Sequence, residues 1–198
     1  MQQTKRAIME SALNLFSQKG IYQTSLKDIA EDLNISKGTI FYHFPTKAEL
    51  LYEIMDYGFS DALDKLFFSS IDVDKEGDKQ FILSQCLSVL KGDNFLFAIN
   101  IHLLEVAICG NQVILEKLQE KYRQWRRMFY NLIVSNSKEI DEEVLNAQAS
   151  VILAIIDGLH VQHMLNPEFY NLKELSKQAA KAINAMVCCD VSHPGDIL

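Results

Sequence analysis

The stretch Thr24 to Leu51, TSLKDIAEDLNISKGTIFYHFPTKAELL, leaves the chain few choices of local structure. Ser25 with Asp28 three residues on is an N-cap signature. It opens a helix over Leu26–Leu33 whose Leu26, Ile29, Ala30 and Leu33 share one face. Asn34-Ile35-Ser36 then supplies a turn residue, an apolar plug and a second N-cap, so the next helix leaves at a steep angle. That helix reads KGTIFYHF. Ile40 and Phe44, four apart, take its buried face, which points Lys37, Gly38, Thr39, Tyr42 and His43 outward and sets Phe41 on the border. Pro45 ends it, and Thr46 with Glu49 forms the capping box of a further helix that carries Lys47 in its first turn.

A solvated face normally carries several charges; this one has a single formal charge, a bare backbone at Gly38, a small hydroxyl and aromatic rings. Such a surface suits close approach to a duplex. Lys37, Lys47 and free N–H groups meet phosphate, Thr39 and Phe41 meet base edges or thymine methyls, and Tyr42 and His43 reach backbone oxygens.

The segment Lys5 to Leu51 resembles the DNA-binding domain of TetR-family transcriptional regulators. A first helix ends in F-x-x-x-G (Phe16 to Gly20), and then come Thr24-Ser25-Leu26 with Ile29-Ala30, SKGTIFYHF, and Lys47 followed by Leu50-Leu51, in order and at the family's spacing. The resemblance implies that Ser36, Lys37, Gly38, Thr39, Phe41, Tyr42, His43 and Lys47 face DNA. Phe41 stands where the family often has Tyr, so an apolar contact replaces one through a hydroxyl. It implies an all-α fold: an N-terminal three-helix domain with a helix-turn-helix (1–48), then a larger helical effector-binding and dimerisation domain (49–198). The function implied is a repressor that binds a pseudo-palindromic operator as a homodimer and leaves it when a small molecule binds.

The remaining periodicity is helical throughout. Thr4–Lys19 buries Ile8, Ala12, Leu15 and Phe16 and stops at Gly20, and a helix from Thr46 to about Phe68 serves both domains. Ser69 to Asp78 reads as an acidic loop. Further helices are expected at Lys79–Lys91, Asn94–Cys109, Asn111–Ser137, Glu142–Leu165 and Leu172–Cys188. The fourth of these is apolar on more than one face, and the fifth carries Ala179, Ala180, Ala182 and Ala185; two copies of the pair would form a four-helix dimer seam. The run Ala154 to Leu159 with Gln162 and Asn166-Pro167 is similar to the C-terminal domain of several TetR-family branches, a choline-responsive one included.

Charge is divided unevenly. The chain carries a net charge of −7, yet residues 1–50 hold six Lys/Arg against five Asp/Glu, so the acidity lies in the remainder. General affinity for DNA is therefore modest, and binding depends on pairing two reading heads and on base contacts. With no leader-like start and no apolar run read as spanning a bilayer, the expected setting is the cytoplasm, away from the membrane. Cys86, Cys109, Cys188 and Cys189 show no metal or disulfide spacing, and Cys86 and Cys109 read as small buried hydrophobes.

Phe67, His102, Glu105, Trp125, Phe129 and His160 are the effector-binding candidates, each of which could also be plain core. His102 and Glu105 share a helix face in apolar sequence, where a buried carboxylate needs a partner. His102-x-x-Glu105 and His160-x-x-His163 also permit a metal-responsive reading. No cofactor is implied. An enzyme lacks any nucleophile with base, phosphate loop or carboxylate pair at recognisable spacing; an enzyme or interaction protein keeping the helix-turn-helix as scaffold is the remaining alternative.

Overall fold

The computed structural model describes residues 2–67, 94–134, 141–169 and 171–188, and among them every regular element is an α-helix. In chain order these are α1 (Gln2–Lys19), α2 (Leu26–Asp32), α3 (Lys37–His43), α4 (Lys47–Phe67), α5 (Asn94–Ile108), α6 (Gln112–Val134), α7 (Glu142–Leu165) and α8 (Leu172–Cys188). The expected helix Lys79–Lys91 and loop Ser69 to Asp78 lie outside the described residues, as do Cys86 and the last residues of the expected helix to Ser137.

The chain divides into two compact units: residues 1–62 with 96–117, and residues 63–95 with 118–198. Within the first unit α4 packs closely on α5: a methyl group added at Gly58 would come within 2.6 Å of Leu96 Cδ1, so the glycine lets the two helices approach. The Tyr52 hydroxyl also reaches Lys117 O at 3.5 Å, and the Lys117 ammonium sits 4.9 Å from the Tyr52 ring centre.

Local chemistry sets the first unit's shape. Gly20 takes the left-handed conformation (φ 87°) that terminates α1, and its N–H bonds Phe16 O at 2.8 Å. Ser25 caps α2 by accepting from Asp28 N–H while Asp28 Oδ2 accepts from the Ser25 N–H at 2.6 Å. Asn34, at φ 51°, turns the chain out of α2, and Ile35 N–H closes back on Ala30 O. Phe44 is extended before Pro45, which stops α3. Ile8, Phe16, Ile29, Ile40, Phe44, Leu50, Leu51, Ile54 and Met55 are fully buried together, as the spacing predicts. Two polar ties brace the shell: Ser11 Oγ donates to Asp32 Oδ2 at 2.6 Å, and Lys5 pairs with Glu53 at 2.6 Å.

In the second unit Trp125, Phe129 and Ile133 of α6 are buried, as are Leu145, Ala149, Ile152 and Leu153 of α7 and Ala179 and Ile183 of α8. Ala179 packs among Ile155, Ile156, Leu159 and Leu175. Two readings are corrected here. The helix α7 is in fact long and apolar enough to cross a membrane by length and composition, with a mean hydropathy of 1.6. Its polar residues are spread singly through the run, so they mask an average that stays high; a third of that apolar stretch is turned into the unit's interior. Cys109 is exposed rather than buried, because α5 ends at Ile108 and Gly110 (φ 109°) swings the chain outward.

Candidate nucleic-acid interface

Helix α3 presents the expected surface. Lys37 and Gly38 are exposed, Tyr42 is 73% and Phe41 42% exposed, and Thr39 and His43 are half-buried, while Ile40 beneath them is sealed off from water. Ser36 spends its hydroxyl on the cap, accepting from Thr39 N–H at 3.0 Å and sharing a 2.8 Å hydrogen bond with Thr39 Oγ1. The Tyr42 and His43 rings meet edge to face at 5.3 Å, which orients both without covering them.

Gly38 is the most informative of these residues. A Cβ there would meet only Ser36 Oγ, at 3.6 Å, which is ordinary contact. Glycine is a poor helix former, and nothing among the described residues requires it at this position. Its bareness is therefore a property of the outward surface.

Lys47 is also held from within the unit. Its ammonium donates to Ile21 O at 2.8 Å and Thr24 O at 3.1 Å, and partial burial lowers its pKa. Two of its three N–H groups thus hold the turn before α2, and one remains for an outside acceptor. It lines an open groove of about 480 Å³ together with Tyr22, Ser25, Phe41 and Pro45. Thr24, itself buried, returns a hydrogen bond to Gly20 O at 2.9 Å, so the turn is braced from within as well.

The effector candidates separate. His102 and Glu105 belong to the first unit, whereas Trp125, Phe129 and His160 belong to the second. Phe67 lies at the end of α4, and its side chain is outside the described ones. Glu105 is not the buried carboxylate that the surrounding apolar residues suggest: its side chain is 61% exposed, because α5 turns that face outward along with Ile101 and Ile108. It does meet His102, Nδ1 lying 3.6 Å from Glu105 Oε2. Both converge on Tyr22, a residue with no sequence signal of its own. The Tyr22 hydroxyl donates to Glu105 Oε2 at 3.1 Å, lies 3.2 Å from His102 Nδ1, and its ring meets the imidazole edge to face at 5.0 Å. The hydrogen bond to Glu105 raises the hydroxyl's pKa and keeps its proton in place.

In the second unit Trp125 and Phe129 are buried, and Trp125 meets Tyr122 at 5.0 Å. The Tyr122 hydroxyl donates to Asp157 Oδ2 at 3.1 Å, a pair the spacing did not reveal. Burial raises the Asp157 carboxyl's pKa against the smaller, opposite pull of that hydrogen bond. His160 is only 4% exposed, on its own unit's interior face and not at an outer seam; its Nδ1–H donates to Ile156 O at 2.8 Å, and burial lowers its pKa. Among the described residues no three His, Cys, Asp or Glu side chains gather as a metal site would need.

Residues 8–54 match the family described as "Bacterial regulatory proteins, tetR family". The Bacillus subtilis regulator YuxN is 37% identical over 78 residues, which cover 39% of this chain and 25% of that protein. The Shigella flexneri regulator AcrR is 23% identical over 210 residues, covering 98% of this chain and 94% of AcrR. The chain thus spans about a quarter of YuxN and nearly all of AcrR. In fold it is similar to a transcriptional regulator from Saccharomonospora viridis solved with choline, at a TM-score of 0.70 and 20% identity over 93% of this chain and 97% of that one. Residues 8–54 are thus similar to the DNA-binding domain of TetR-family bacterial transcriptional regulators, and the chain as a whole is similar to such regulators in its all-helical fold.

Proposed function

We propose that this regulator is a cytoplasmic repressor that binds a pseudo-palindromic operator as a homodimer. Residues 1–48 read the DNA, and residues 49–198 carry dimerisation and effector binding. The observation that carries the reading is the outward face of α3, where Gly38 is left bare though no described residue crowds it. Lys37 and the last free N–H of Lys47 meet phosphate; Thr39, Phe41 and Tyr42 meet the major groove, with Ser36 and His43 at its edges. A second copy accounts for α7, whose Ala147, Val151, Ala154, Val161 and Leu165 are exposed in one stripe, and for exposed Ala182 and Ala185 on α8.

A small molecule enters the second unit beside Trp125, Phe129 and His160. Asp157 adds a carboxylate that holds only the Tyr122 hydroxyl among the described residues, which suits an organic cation of the kind bound by the S. viridis protein. Selection of DNA from a random pool by the purified protein, followed by footprinting, tests the central point. Enrichment of an inverted repeat with half-sites about 34–36 Å apart, or a multiple of that, is the expected result; retention of all sequences alike sinks the proposal.

A further inference from the structure

We propose that Tyr22 is a positioning residue for DNA recognition, tying the turn that launches α2 to helix α5 through His102 and Glu105. The turn's carbonyls are held from one side, Ile21 O and Thr24 O by Lys47 and Gly20 O by Thr24. The Tyr22 ring itself is 71% exposed, so packing does not hold it; its hydroxyl and its edge-to-face contact do.

One phenolic proton closes the arrangement. Tyr22 O–H donates to Glu105, its oxygen accepts from His102 Nδ1–H, and that nitrogen faces the same Glu105 oxygen. Both partners stand three residues apart on α5, 80 and 83 residues along the chain from Tyr22. A displacement of α5 therefore moves donor and acceptor together, and the turn follows. The consequence reaches the reading surface by two routes. Ser25, three residues on, caps α2, and Tyr22 lines the same groove as Phe41 of α3 and Lys47. Helix α5 thereby sets the position of the DNA-reading helices through a contact independent of α4.

The inference rests on the operator-binding reading, and one experiment separates the two. DNA selected by the wild-type protein, and an unrelated fragment, are titrated with wild type, Tyr22→Phe, Glu105→Ala, Glu105→Gln and the double variant Tyr22→Phe/Glu105→Ala. The two disruptive single variants each weaken binding of the selected DNA about threefold to tenfold, the double variant loses no more than either, and Glu105→Gln, which keeps an acceptor, stays near wild type. Affinity for the unrelated fragment and the thermal midpoints stay at wild-type values. Additive losses, equal losses on both fragments, or a Tyr22→Phe protein that binds like wild type overturn the positioning role alone. A wild-type protein that selects no sequence overturns the operator reading and the positioning role with it.

Discussion

Gly38 separates fold from function at a single residue. Replacing it with alanine adds a methyl group that only Ser36 Oγ approaches, at 3.6 Å, and improves helix propensity by about 0.5–1 kcal/mol. Gly38→Ala is expected to leave the thermal midpoint equal or slightly raised while weakening operator binding about tenfold or more, by steric exclusion of the duplex backbone. A variant as active on DNA as wild type in a mobility-shift titration would remove Gly38 from the interface. Lys47 shows the opposite mixture. The capping box at Thr46 and Glu49 was legible, and so was the lysine's place in the first turn of α4. Its grip on Ile21 O and Thr24 O was not, because the acceptors lie 26 and 23 residues away and carry no side-chain signature.

At the scale of elements, α3 and α7 carry two kinds of exposed apolar surface, for which different partners are proposed. The α3 face mixes hydroxyl, aromatic and bare backbone, which suits a groove of bases; the α7 stripe is uniformly small and aliphatic, which suits a second helix. Val151 is 45% exposed, so a charge there does not disturb the unit that bears it. Val151→Glu is expected to keep its far-ultraviolet circular dichroism and convert a dimer to monomers in light scattering, costing on the order of 3 kcal/mol of association by leaving a charge unpaired in the seam. A variant that stays dimeric would place the interface elsewhere. The dual apolar faces of α7 were visible as periodicity. Which face turns inward was settled only by Leu145, Ala149, Ile152 and His160 packing into their own unit.

For the molecule as a whole, buried ionisable groups couple stability to pH. His160 has its pKa lowered below the ordinary 6.5 by burial, with the Ile156 hydrogen bond opposing and His163 adding to the shift. The unfolded chain therefore binds a proton at a pH where the native state resists it, so this group's contribution is intact above about 6.5 and is lost as pH falls below it. The raised pKa of Asp157 acts in the other direction, favouring the native state as pH falls toward 3.8. Comparing wild type with His160→Gln cancels the Asp157 part. The drop in thermal midpoint from pH 7.5 to 5.5 is expected to shrink in the variant, and an unchanged drop would mean that His160 ionises freely when folded. The sequence by itself determined the all-helical build, the reading helix and its outward face. Caps, turns and 3.6-residue periodicity act within a few residues of one another, so each signal is complete inside a short window. Only the tertiary structure decided that His102 and Glu105 attend Tyr22, that Lys47 clamps a turn, and that most of α5 shares a unit with the helix-turn-helix and the first part of α4. Those contacts join residues up to 83 positions apart, and their geometry exists only once the helices have packed.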